Sequence, residues 1–323
     1  MKINFIIGIG RSGTNLLALI LRNNPRIESI SDVPFISFFK KDLENKKTLT
    51  SKDHINIIEY LSYFTNNNED NASKINHLKS INSYKSYAGL IQQIFQVFSE
   101  KDLNQTLLFD KEPSYTFHVE KLLKLFPEAK FIFMTRDYRA NYLSRKENPN
   151  NRTSNIYLNC YRWKAFNKKG LQFLNRYPDQ IILVKYENLV SYPLVELKKI
   201  AQFFQFEYAE SMFENITDKS DTLLLKNDVN PEFYKTHHNK IAKEINNNRI
   251  GKWKEELSKK EIAVCENICG KTGQRLNYPI SLPKNNSKFI LSLYPYLHSK
   301  YDYYKEFILL HIPASIKLKR LKK

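Results

Sequence analysis

The sequence predicts a three-layer α/β fold around a central parallel sheet, and three observations predict it. Short apolar runs alternate with helical patterns through the first two thirds of the chain. The first run empties into a glycine-rich turn. Of the 323 residues, 42% are hydrophobic and 13% aromatic, enough to cover a sheet on both faces.

Lys2–Gly8 is apolar, rich in isoleucine and ends at glycines, the pattern of a buried strand. Thr14–Asn23 has helical spacing. Leu107–Asp110 and Lys130–Thr135 are further strands, each followed by a helical pattern, Ser114–Phe126 and Asp137–Lys146. Gln180–Lys185 is a fourth strand and Pro193–Phe204 the helix after it. Strands joined through helices run parallel. Residues 1–280 therefore read as one α/β domain with an otherwise helical C-terminal third. Within it, residues 40–83 are rich in Asn, Lys and Ser, and read either as a polar, solvated insertion or as a substrate-side lid. Residues 281–323 read as a basic, aromatic tail.

The chain carries 51 Lys and Arg against 33 Asp and Glu, a net charge of +18. Such an excess calls for an anionic partner: nucleic acid, an anionic membrane or a phosphorylated small molecule. Three cysteines, with no CxxC pair and no zinc spacing, read as reduced thiols. The N-terminus lacks the pattern of a secretory signal, and no run of about 20 apolar residues is present. The expected location is cytoplasmic.

The strongest local signal is Phe5–Leu17, in which a strand feeds the turn Gly8-Ile-Gly-Arg-Ser-Gly13 and the turn opens a helix. Glycines let successive N–H groups converge, and the helix N-terminus adds positive potential, so an anion of phosphate type fits there. The turn ends Gly13-Thr14-Asn15 where a nucleoside-triphosphatase loop has Gly-Lys-Ser/Thr. The phosphate-reaching lysine and the hydroxyl of the magnesium slot are both missing. Arg11 and Ser12 instead offer donors from within the loop, which suits phosphate or sulfate held without a metal. The expected fold is thus of P-loop type. Magnesium-dependent nucleotide hydrolysis is disfavoured.

Five segments in order then resemble the sulfotransferases that use 3′-phosphoadenosine-5′-phosphosulfate (PAPS), the broad group with tyrosylprotein and bacterial carbohydrate enzymes. They are Arg11–Thr14, Asp110–Pro113, Phe126–Arg139 with Ser144, Tyr186–Leu189 and Arg249–Lys254. The resemblance implies that Arg11, Ser12, Gly13, Thr14 and Asn15 hold the 5′-phosphosulfate and that Arg136 and Ser144 hold the 3′-phosphate. It puts Tyr186 near the adenine, and Arg249 and Lys252 in a segment that closes over the nucleotide. The product would be adenosine 3′,5′-bisphosphate. Individually these residues have plainer readings: a salt bridge at a strand end for Arg136, a solvated hydroxyl for Ser144, a packed ring for Tyr186, and a charged helix face for Arg249 and Lys252.

Sulfuryl transfer is an in-line displacement that needs one base and one or more cations. By the same resemblance Lys111 and Arg11 are the cations. Asp32 is the candidate base, although the resembling enzymes have Glu there. Asp32 before Val-Pro also suits a helix N-cap, and Glu28 is the next carboxylate. The plainer reading of Lys111 is a surface pair with Asp110.

The alternatives are a P-loop kinase-like phosphotransferase and a basic nucleic-acid-binding protein. Thr14-Asn15 argues against the first. The absence of a recognition motif, with charge spread along the chain, argues against the second. The acceptor is expected to be a hydroxyl of a glycan, glycolipid or metabolite, met by loops in Phe35–Ser83 and Asn148–Arg162. In Ser287–Lys323 aromatics and leucines alternate with lysines; this tail is either a packed helix with a basic end or a dock for an anionic membrane surface.

Overall fold

The computed structural model describes residues 2–31, 43, 46–64, 69–81, 86–147, 155–213 and 249–282. Five strands form one parallel sheet in the order β2-β3-β1-β4-β5. They are β1 (Ile3–Gly8), β2 (Ile27–Ser31), β3 (Leu107–Lys111), β4 (Phe131–Thr135) and β5 (Ile181–Lys185). Among the described residues the α-helices are α1 (Thr14–Arg22), α2 (Ser51–Phe64), α3 (Glu69–Ser80), α4 (Tyr87–Phe98), α5 (Val119–Leu125), α6 (Tyr138–Lys146), α7 (Ile156–Arg176), α8 (Tyr186–Ser191), α9 (Pro193–Phe204), α10 (Trp253–Glu256) and α11 (Lys259–Gln274).

The strands are apolar on both faces because both faces are covered. Ile3, Phe5 and Ile7 of β1, with Phe131 and Phe133 of β4, join a core that includes residues of α2, α3, α4, α7 and α11. The intervening Ile6, Ile132 and Met134 turn to the other face and join residues of α1, α8 and α9. The strand period of two thus sorts one run of isoleucines and phenylalanines into two cores, which makes the three layers.

Three segments depart from the sequence reading. β2 is an additional edge strand. Its Ile27-Glu-Ser-Ile-Ser carries no apolar run, and Glu28 is 1% exposed. The chain tolerates that carboxylate because Arg22 lies 3.6 Å from it and the Glu100 N–H donates to it at 3.1 Å. Glu28 is therefore a structural group, not a second candidate base. The helix expected over Ser114–Phe126 is split into a 3₁₀ turn, Pro113–Phe117, and α5, with His118 between them at φ −124°. Finally, the described part of 40–83 includes α2 and α3, and Ile57, Ile58, Tyr60, Leu61, Ile75 and Leu78 are buried in the main core. That part is not a solvated excursion.

The end of α1 is closed from a distance. Lys101 Nζ donates to the carbonyls of Arg22, Asn24 and Ile27, so one ammonium satisfies acceptors that a helix end leaves over.

Candidate functional site

The site is built at the carboxyl ends of β1 and β4, where the strand order turns to opposite sides of the sheet and open α/β folds bind ligands. Gly8 ends β1 at φ +139°, and a Cβ there would lie 2.3 Å from the Met134 carbonyl of the neighbouring strand. Its N–H donates to Thr116 Oγ1 at 2.8 Å. Gly13 has φ +88°, and a Cβ would stand 2.6 Å from the Tyr186 ring. Between them Arg11 adopts φ +72°, a left-handed conformation that disfavours a side-chain-bearing residue. The loop then enters α1 at Thr14 with no side-chain cap and no acidic residue in the first turn. Its leading N–H groups are those that bind anions in other folds.

Most of the expected donor residues meet here. Arg11 Nε donates to Ser144 Oγ at 3.0 Å, joining residues 133 apart in sequence. Arg136 leaves β4, and its Nη1 reaches the Arg11 carbonyl at 3.4 Å. The Arg136 guanidinium lies 4.1 Å from the centre of the Tyr186 ring, and that ring packs against Gly13. Ser12 and Thr14 are buried, and Asn15, one residue further into α1, is half-buried. Loop, Arg136, Ser144 and Tyr186 are thus one contiguous cluster.

Lys111 is the last residue of β3 and is 2% exposed. It stands level with Ile6 of β1 on one side and Ser31 of β2 on the other. Asp110 is buried too; burial, and after it the Asp110 carboxylate, pushes the Tyr115 phenol well above its ordinary range. A surface Asp110–Lys111 pair does not describe these buried groups. Asp32 follows Ser31 directly and lies outside the described residues.

Arg249 and Lys252 both meet Glu147. Lys252 Nζ bonds Glu147 at 3.1 Å, and Arg249 lies 3.6 Å from the same carboxylate at the end of α6. The hydrogen bond to Glu147 raises the Lys252 pKa. These contacts fasten the segment to the end of α6. Arg139, inside the same motif as Arg136, is paired with Asp137 and Glu266 at 2.7 Å each and stacks 3.8 Å from the Trp253 ring centre.

Sequence reasoning missed Asn141 and Arg145. Asn141 Nδ2 donates to the Gly10 carbonyl at 3.1 Å and to Ser12 Oγ at 3.2 Å. Arg145 Nη2 donates to the same carbonyl at 2.9 Å. The signal was their spacing: 141, 144 and 145 share one helix face with Ser144.

A family model described as "Sulfotransferase family" matches residues 4–210, more than half of the chain. This chain belongs to that family. A putative protein-tyrosine sulfotransferase of Caenorhabditis elegans is 23% identical over 216 residues, covering 63% of this chain and 81% of that protein. One of Caenorhabditis briggsae is 30% identical over 112 residues, covering 33% of this chain and 40% of that protein, so the match spans well under half of its length. Among solved structures, the sulfotransferase domain of the Synechococcus PCC 7002 olefin synthase superposes with a TM-score of 0.60 at 23% identity. It covers 88% of this chain and 96% of that one, which establishes the shared fold. Within this sulfotransferase-family fold, three of the five sequence segments meet at the ends of β1 and β4: Arg11–Thr14, Phe126–Arg139 with Ser144, and Tyr186–Leu189.

Proposed function

We propose that the chain transfers the sulfuryl group of PAPS to a hydroxyl, in line and without a metal. One observation supports this above the others: the Arg11–Ser144 hydrogen bond, flanked by Arg136 on the Tyr186 ring, ties a 5′-phosphate-type loop to a second cationic site. A nucleotide phosphorylated at both ends needs such a pair of sites. The loop N–H groups, Ser12 and Arg11 would take the 5′-phosphosulfate, and Arg136 and Ser144 the 3′-phosphate. The acceptor oxygen forms a bond to sulfur while the bond from sulfur to the phosphate oxygen breaks. Asp32 takes the hydroxyl proton. Lys111 and Arg11 stabilise the charge left on adenosine 3′,5′-bisphosphate.

The acceptor is proposed to be a hydroxyl of a glycan, glycolipid or metabolite at the cytoplasmic side of a membrane, with Ser287–Lys323 docking on anionic lipid. Among the described residues no helix is long and apolar enough to cross a membrane. Co-sedimentation with anionic vesicles tests the tail. The full chain should pellet and be released by salt, and a chain cut after Pro283 should stay in solution.

Calorimetric binding tests the donor. The chain should prefer adenosine 3′,5′-bisphosphate to ATP and to duplex DNA. Arg136→Ala and Ser144→Ala should weaken adenosine 3′,5′-bisphosphate by about 1.5–3 kcal/mol and spare adenosine 5′-phosphosulfate. Equal losses on both ligands would remove the 3′ assignment. Asp32→Asn and Lys111→Ala should keep donor affinity and lower turnover by roughly 10²–10⁴. An Asp32→Asn protein with normal turnover and a lower Tm would make Asp32 a helix cap.

A further inference from the structure

We propose that Asn141 and Arg145 are positioning residues that aim the backbone donors of the phosphate loop by holding the Gly10 carbonyl on the α6 side. The proposal deepens the nucleotide reading above and rests on it for the identity of the ligand.

The Gly10 oxygen receives two donors from one helix face, Asn141 Nδ2 at 3.1 Å and Arg145 Nη2 at 2.9 Å. A carbonyl has two lone pairs, so these contacts can fill it. The Asn141 amide is itself oriented. Its Oδ1 accepts from Arg145 Nε at 3.3 Å, which leaves Nδ2 for Gly10 and Ser12. In a planar trans peptide the following N–H points opposite to the carbonyl. Fastening the Gly10 carbonyl to α6 therefore turns the Arg11 N–H away from α6.

Backbone strain explains why a clamp is needed. Arg11 sits at φ +72°, and Gly10 before it accepts a wide range of ψ. Rotating the Gly10–Arg11 peptide plane would return Arg11 to a relaxed negative φ. It would also replace an N–H by a carbonyl oxygen on the side where an anion binds. Asn141 and Arg145 oppose that rotation. Asn141 is 1% exposed, so releasing the carbonyl would also strand a buried amide. Burial and the neighbouring Arg162 and Arg11 cations push the Arg145 pKa down, a strain that a bound anion relieves.

α6 thereby has two duties at once. Ser144 sits on it in the 3′ site, and Asn141 and Arg145 on the same face shape the 5′ site. The clamp predicts selective damage to ligands that use the loop. With the full chain, Asn141→Ala and Arg145→Gln should weaken adenosine 5′-phosphosulfate roughly tenfold and leave adenosine 3′-monophosphate within about twofold. Arg145→Lys, with one charge but no fork, should be intermediate and serves if Asn141→Ala does not fold. Hydrogen exchange at the amides of residues 10–13 should quicken in each variant while exchange in α1 and β4 stays at the wild-type rate. Equal losses on both nucleotides, or loop exchange unchanged from wild type, would overturn the clamp. If the wild-type chain binds neither nucleotide, the donor assignment is what fails, and the exchange data alone then uphold or overturn the clamp.

Discussion

The two faces of α6 put polar side chains to opposite uses. On one face Arg139, Tyr142 and Lys146 meet carboxylates of α11: Arg139 with Glu266, and Tyr142 and Lys146 with Glu261. On the other face Asn141, Ser144 and Arg145 meet the carbonyl, hydroxyl and guanidinium groups of the phosphate loop. The difference teaches how to tell a structural arginine from a ligand-facing one inside a single motif. Arg139 is neutralised by Asp137 and Glu266 and enclosed by Tyr138 and Trp253. Arg136, three residues earlier, contacts a carbonyl and a ring, and its buried Nε has no hydrogen bond among the described residues. The proposed function puts an anion at the second and none at the first.

The comparison breaks most visibly on the carboxylate face. Arg139→Met leaves Asp137 and Glu266 buried without their cation and should cost about 3–5 kcal/mol, read from the urea midpoint. Adding Glu266→Gln should recover part of that loss, since the second charge no longer stands alone. A loss below about 1 kcal/mol for Arg139→Met would mean that this face does not hold the fold.

On the loop face the expected order is reversed. Ser144→Ala should change the urea midpoint little and weaken adenosine 3′,5′-bisphosphate by about 1.5–3 kcal/mol. A variant that unfolds as readily as Arg139→Met would erase the distinction between the faces.

The smallest effect sharpens the comparison through pH. Burial raises the Glu261 pKa, but hydrogen bonds from Lys146, the Ser258 N–H and the Ser258 hydroxyl outweigh it and bring the carboxyl down to about 2. A carboxyl depressed in the folded state adds stability above its ordinary pKa and loses it as pH falls towards the folded value. Glu261→Gln should therefore cost about 0.5–1 kcal/mol near neutrality, the value for a partly exposed pair, since Gln can still close the capping box. The gap from wild type should close between the ordinary glutamate range, 4.5, and about 2. A gap that persists at pH 2 would assign the loss to packing.

The strands and the loop were legible in sequence because their signals are local. Ile3–Gly8, Phe131–Thr135 and Ile181–Lys185 are apolar on both faces, and Gly8 and Gly13 sit where positive φ is required. β2 was hidden because its buried carboxylate is compensated by Arg22 and Glu100, partners that no local window around it reveals as such. The helices of 40–83 were hidden by Asn and Lys on their exposed faces, which masked Ile57, Ile58 and Leu61. In the site, Arg11, Arg136 and Ser144 came from motif order. Asn141 and Arg145 act on a carbonyl more than 130 positions away, a distance at which spacing on one helix says nothing of the target. For Arg249 and Lys252 a motif gave the neighbourhood, while their contacts with Glu147 were not legible in it.

The order of the strands also sets a timetable for biosynthesis. β1 is made first and lies at the centre of the sheet, yet its two neighbours are β3, beginning at Leu107, and β4, ending at Thr135. At about 5–20 residues per second, a ribosome needs on the order of ten seconds to deliver both. For that interval the apolar segment Ile3–Gly8 lacks one or both of its sheet neighbours, and the glycine turn after it has no α6 beside it. Closing such long loops makes parallel sheets slow to assemble and open to aggregation. A nascent chain stalled before residue 131 should therefore be a strong client for holdase chaperones, and one released past α6 a weak one.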